Sequence, residues 1–299
     1  MENTHKILFE KPDLSRLLPH NTVVDLHFHS HYSDGINSID DIARKAAEFG
    51  IGIAITDHNA IEGAVEIDSY RHILSIPGIE VTSQKGTHLL VYFYDIEGLK
   101  QFYTRDIKPF LGNDVMSSIS LNLSDIIFRA KQYHTVIIFP HPYCTAYTGL
   151  FNLHFSEEQQ NDLLNQVDGV EVINSENLYK WNLKSAVLGF NLDKAVTGGS
   201  DGHCLEYMGK TVSYAPCPAN RNAFLDCIRQ KRNKVVGKEI DMLKKIRSNG
   251  LKMKTNFRNY PNLVEKNFKY SCIVIHAKSK FLKDSVKRNI NRTLNKLAG

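Results

Sequence analysis

The segment TVVDLHFH, residues 22–29, decides how the chain is read. Its first half is β-branched and apolar, as in a buried strand, and its end carries Asp25, His27 and His29. Side chains alternate along a strand, so His27 and His29 point to one face about 7 Å apart. Two neutral imidazoles at that spacing can grip one divalent ion. The chain then continues as SHYSDG, which adds His31 and Asp34.

Six more short runs resemble the first: IGIAITD (51–57), IPGIEVT (76–82), THLLVYFY (87–94), TVIIFPHP (135–142), GVEVIN (169–174) and KAVTGGSD (194–201). Most intervals between them carry a helical period. In SIDDIARKAAEFG (38–50), Ser38 can cap the start, an apolar face recurs every 3.6 residues, and Gly50 stops the helix. NLSDIIFRAKQYH (122–134) and SEEQQNDLLNQV (156–167) behave alike. Strand then helix, repeated about seven times, predicts a parallel α/β fold. The polar residues favour a barrel over an open doubly wound sheet. Asp57 and His58, Glu80, His141, and Asp201 with His203 each end a run, where barrel active sites gather. His88 is the exception, because it opens its run. Residues 95–120 fit no period and read as an insertion over the barrel mouth.

A chain of 299 residues can bury one sizeable core with a small appendage. Its start, MENTHKILFEKPD, lacks the apolar centre of a secretory signal, and no run approaches the roughly 18 apolar residues of a membrane span. Five scattered cysteines without CxxC spacing suit a reduced, cytoplasmic protein. Charge divides the chain. From Asp241 onward there are 15 basic and three acidic residues, whereas residues 1–240 hold 22 basic and 29 acidic ones. The sequence therefore predicts an α/β region over 1–240 and a basic C-terminal subdomain or tail over 241–299. That tail suits a solvated face, nucleic-acid phosphates, an anionic membrane or an acidic protein partner.

The motifs VDLHFHSHYSDG, AITDHNAIEG, IPGIEVTS followed by THLLVYFY, IIFPHPY and VTGGSDGH occur in this order. In this the chain resembles the PHP (polymerase and histidinol phosphatase) family of metal-dependent phosphoesterases over about residues 22–240. The resemblance implies a distorted seven-stranded (β/α) barrel, TIM-like, in agreement with the seven runs. It also implies nine metal ligands. His27, His29, Glu80 and Asp201 would hold one ion; Glu80 would bridge to a second held with His88 and His141; Asp34, His58 and His203 would complete a third position. Some family members have histidine where this chain has Asp34.

Two or three divalent ions, Zn²⁺, Mn²⁺ or Fe²⁺, suit this donor set of imidazole and carboxylate. Clustered ions acidify a shared water, supply hydroxide as nucleophile and offset charge on phosphoryl oxygens. The expected function is hydrolysis of a phosphate ester on a small phosphorylated molecule or nucleotide. The alternative is a nuclease or phosphodiesterase that uses the basic tail to hold nucleic acid. A scaffold for a protein partner and an amidohydrolase rank below these. Amidohydrolases commonly bridge their metals with lysine, where this chain has Glu80. Asp25 and Asp57 are expected to orient ligand histidines. Glu171 and Asn174 end a run facing the same mouth, and His31 is expected to stand off the site.

Overall fold

The computed structural model describes residues 6–144, 148–151 and 154–241. The basic segment, apart from Asp241, falls outside them, as does any test of a boundary at residue 240. All seven runs form strands: β2 (Thr22–Phe28), β3 (Gly52–Ile55), β4 (Gly78–Thr82), β5 (His88–Phe93), β6 (Thr135–Phe139), β7 (Gly169–Asn174) and β8 (Ala195–Gly199). Three more complete the described set: β1 (Ile7–Leu8), β9 (Thr211–Ala215) and β10 (Lys234–Gly237). The helices are α1 (Leu14–Leu17), α2 (Ile39–Phe49), α3 (Glu62–Ile67), α4 (Ile96–Phe102), α5 (Leu123–Ala130), α6 (Glu157–Gln166), α7 (Tyr179–Asn191) and α8 (Arg221–Arg229).

The strands form two mixed five-stranded sheets, ordered β1-β10-β9-β2-β3 and β4-β5-β6-β7-β8. The α/β class expected from the sequence is present. A closed seven-stranded barrel is not, because no closed sheet is found among the described residues. Among the described residues, isolated bridges link the sheets near their strand ends: Phe28 with Gly202, and His58 with Glu80. Nor is the pairing uniformly parallel. β5 runs antiparallel to both β4 and β6. The loop between β4 and β5 closes with Ser83 N donating to Thr87 O at 2.9 Å. It is far too short for a crossover, so the chain must turn back as a hairpin.

That reversal explains His88. Thr82, the last residue of β4, pairs with His88, the first of β5. The start of an antiparallel strand thus lies at the edge where its neighbour ends, and His88 reaches the same rim as Glu80.

Local chemistry sets the helices. Ser38 caps α2 by accepting from Asp41 N–H, and Gly50 ends it in the left-handed region at φ 67°. Ile39, Ile42, Ala43 and Ala46 are buried, as the 3.6 period predicts. α6 begins with a capping box between Ser156 and Gln159. The core includes the fully buried Phe28, Ile42, Ile53, Val91, Phe139 and Val170. Residues 95–120 are only partly an insertion. Leu99, Phe102 and Ile107 are buried in the core, whereas Val115 and Ser117 offer their carbonyls to the Asn59 amide at 2.8 and 2.9 Å.

Candidate metal centre

The chain brings all nine sequence-predicted residues to one rim. His27 and His29 stand at the end of β2 with ring centroids 5.2 Å apart. Glu80, within β4, is fully buried at the centre. Its Oε2 lies 3.5 Å from His27 Nε2, 3.4 Å from His29 Nε2 and 3.1 Å from His58 Nδ1. Its Oε1 lies 2.9 Å from His88 Nδ1 and 3.4 Å from His141 Nε2. One carboxylate therefore faces five imidazoles from four segments of chain. Asp201, after β8, sits 3.1 Å from His29 Nε2 and 3.4 Å from His27 Nε2. Asp34 meets His203 at 2.9 Å and His29 Nδ1 at 3.6 Å.

Three groups offer ligand atoms within 4.8 Å of one another: His29, Asp34, His58 and His203; His27, His29 and Asp201; and His58, Glu80 and His88. They resemble the three positions that the family resemblance implies, with shifts: Glu80 is not grouped with His27, His29 and Asp201. His29 joins the Asp34 group, and His58 stands with Glu80 and His88 while His141 falls outside the groups.

The backbone is bent to present these residues. His141 and Asp201 have φ of 28° and 52°, and Asn59, next to His58, has 46°. Non-glycine residues rarely occupy this region, and strain of this kind concentrates at functional sites. Gly199 permits the approach of β8 to β2, since a Cβ there would overlap His27.

Electrostatics follow from the crowding. Burial opposes charge on His27, but Asp201, Glu171 and Glu80 outweigh it and raise its pKa well above the imidazole range. His29 is raised against burial by Asp201, Asp34 and Glu80. His141 is raised against burial by Cys144 and Glu80. Burial wins at His58 and, with the charges of His29 and His88, carries it down to about 3. Asp34, Glu80 and Asp201 resist burial and stay well below the carboxylate range because histidines surround them.

Five buried polar atoms of the cluster find no hydrogen-bond partner: His27 Nε2, His29 Nδ1, His58 Nδ1, His141 Nδ1 and Glu80 Oε2. Some lie at ion-pair distance from one another, but without hydrogen-bond geometry. Buried orphans of this kind are uncommon, and a divalent cation would satisfy several at once. The donor set fits such an ion.

Residues around the cluster behave less simply than the sequence suggests. Asp25 and Asp57 do not touch an imidazole. Asp25 accepts from the N–H groups of Ser200 and Gly209, both at 2.9 Å, and burial pushes its pKa up to about 6. Asp57 accepts from Ser30 N–H, Ser30 Oγ and Ser33 Oγ at 2.8, 2.6 and 2.6 Å. They orient the loops that carry the histidines. Outside the nine candidate ligands, the carboxylate that meets a candidate ring is Glu171, 3.1 Å from His27 Nδ1. His31 is exposed, 4.2 Å from Tyr32 ring to ring, and stands off the cluster. Cys144 was passed over in the sequence. Although burial raises its thiol, His141 and Thr148 bring it to about 7.

A convergent His/Asp/Glu cluster on the strand ends of an α/β fold is a candidate centre for divalent metals. The PHP domain family model matches residues 25–187. The match covers more than half of the chain, and the protein belongs to the PHP family. An error-prone DNA polymerase of Symbiobacterium thermophilum is 40% identical over 72 residues, 22% of this chain but only 7% of the polymerase. An uncharacterized protein of Methanocaldococcus jannaschii is 29% identical over 163 residues, 50% of this chain and 81% of its own length. Among solved structures, a Bacteroides vulgatus two-domain protein containing a predicted PHP-like metal-dependent phosphoesterase matches with TM-score 0.56 and 18% identity. That match covers 81% of this chain and 72% of that one. Endonuclease Q, bound to a 27-mer duplex with an abasic lesion at its active site, matches with TM-score 0.61 and 17% identity, over 73% and 60%. At these identities the structural likeness shows the fold. No described helix is long and apolar enough to cross a membrane.

Proposed function

We propose that this chain hydrolyses phosphate esters through two or three divalent ions held by His27, His29, Asp34, His58, Glu80, His88, His141, Asp201 and His203. The observation that carries the reading is Glu80, a buried carboxylate faced by five histidines with its Oε2 left without a hydrogen bond. The donor set suits Zn²⁺, Mn²⁺ or Fe²⁺. When bound, such ions make water acidic enough to act as a nucleophile near neutral pH and offset charge on phosphoryl oxygens.

The protein's own residues supply the frame. His27 and Glu80 are closed to solvent, whereas the side chains of Asp201 and His88 are 16% and 13% exposed. A phosphoryl group would therefore approach from the side of Asp201 and His88. Asp25 ties the segment after β8, which carries Asp201 and His203, to β2, and Asp57 holds the loop that carries Asp34, so the ligands need little rearrangement.

The preferred substrate is a small phosphorylated molecule or nucleotide. A second reading, action on nucleic acid, draws on two observations: the run of 15 basic residues from Asp241 onward, and the fold shared with Endonuclease Q, which binds duplex DNA. Phosphate release from nucleotides and sugar phosphates, set beside cleavage of single- and double-stranded oligonucleotides, tests both. Turnover of the small esters alone supports the first. Cleavage of oligonucleotides alone supports the second, and inertness toward every substrate with metal added contradicts both.

A further inference from the structure

β7 contributes none of the nine candidate ligands, yet it places two buried polar side chains, Glu171 and Asn174, against them. Strand alternation would send residues 171 and 174 to opposite faces. Here the pairing of β7 with β8 slips: Glu171 pairs with Thr197 and Ile173 with Gly198, which leaves Val172 as an extra residue. A bulge of this kind reverses the alternation and brings both side chains to one side. They meet there, with Asn174 Nδ2 donating to Glu171 Oε2 at 2.9 Å.

The pair touches three candidate ligands from three different strand ends. Glu171 Oε1 is 3.1 Å from His27 Nδ1. Glu171 Oε2 accepts the backbone N–H of His141 at 2.9 Å. Asn174 Nδ2 also donates to Asp201 Oδ2, at 3.1 Å. On the far side of the His27 ring, Nε2 has no hydrogen bond and faces Glu80 and Asp201 at 3.5 and 3.4 Å.

We propose that Glu171 and Asn174 form a positioning pair that fixes His27 with its proton on Nδ1 and its Nε2 lone pair toward the cluster, while holding His141 and Asp201 in register. The proposal rests on the metal-binding reading above. An ionised carboxylate only accepts hydrogen bonds, so the nitrogen beside it must carry the proton. His29 has no equivalent lock, because both of its nitrogens face candidate ligands: Nε2 faces Asp201 and Nδ1 faces Asp34. Glu171 thus acts through His27 and does not itself bind metal or substrate. Outer partners of this kind typically contribute about 10–100-fold in metal affinity.

The test uses the full-length chain loaded with Zn²⁺. Long-range ¹H–¹⁵N NMR on histidine-labelled protein, with His27 assigned through His27→Gln, should find the His27 proton on Nδ1. Zinc titration of Glu171→Gln should show the weakest-held ion bound about 10–100-fold less tightly than in the unmutated chain. The His27 resonances should move while the far-ultraviolet spectrum stays unchanged. A His27 proton on Nε2 in the unmutated chain overturns the proposal, and it does so whether or not the variant folds. A folded E171Q chain with unaltered zinc affinity and unaltered His27 resonances overturns it as well. If the unmutated chain takes up no zinc, the metal-binding reading itself fails. If it takes up zinc and E171Q binds equally well, only the positioning role fails.

Discussion

Glu80 and His88, eight residues apart, meet across an antiparallel hairpin with 2.9 Å between Oε1 and Nδ1. The other oxygen of Glu80 faces His27, His29 and His58. A single carboxylate thus stands between the β2 histidines and the hairpin. Replacing Glu80 with Gln keeps the shape and removes the charge that balances five imidazoles. E80Q should lose at least one bound divalent ion, and the proposed phosphoesterase activity should fall by more than the ~100-fold typical of an outer partner. Metal analysis and initial rates check this. Unchanged metal content would show that Glu80 is not a ligand.

The raised histidines set the pH dependence of metal uptake. His27 and His141 are held well above the ordinary value of about 6.5, and His29 is raised from it, so without metal these rings keep protons to higher pH than a free imidazole, and the protons must leave before the ring nitrogens can ligate. His58 is already neutral, and it releases none. Zinc binding should therefore expel protons, and apparent affinity should rise with pH through the raised values. Calorimetry in buffers of different ionisation enthalpy reads the proton count. Affinity that falls with rising pH would contradict the assignment.

The loop ties should matter for stability more than for chemistry. Asp57 accepts three hydrogen bonds from Ser30 and Ser33, and Asp57→Ala leaves buried donors without their acceptor. The expected loss is about 2–4 kcal/mol in urea denaturation of the metal-free chain. His31→Ala should change neither stability nor metal content, because His31 is exposed and away from the cluster.

Gly199→Ala tests the approach of β8 to β2. The added methyl meets the Cβ and backbone of His27, so the strands must part. A loss of about 1–3 kcal/mol is expected, together with weaker metal binding. A variant with full stability and full metal content would show that the contact has slack.

Much of this was legible in the sequence because its carriers are local. Each of the seven apolar runs became a strand, and the HxH, TDH, PHP and SDGH motifs lie where strands end, whereas GIE opens β4 and sets Glu80 at its middle. What escaped was relational. β9 and β10 are short, and the polar Thr211 and Ser213 of β9 are buried, their hydroxyls bonded to Ser175 and Gly198, which no local pattern reports. The hairpin between β4 and β5 turns an expected parallel strand around and places His88 at the rim. A β-bulge at Val172 brings Glu171 beside His27, 144 residues away. The run GVEVIN by itself shows a carboxylate at a strand end, but not which imidazole it meets.

The most direct test is the metal content of the full-length chain. Protein stripped with chelator, equilibrated with Zn²⁺ or Mn²⁺ and freed of excess should retain two or three ions per chain, and the same ions should restore phosphoesterase activity lost on stripping. A folded chain that retains no divalent ion after equilibration would contradict the account.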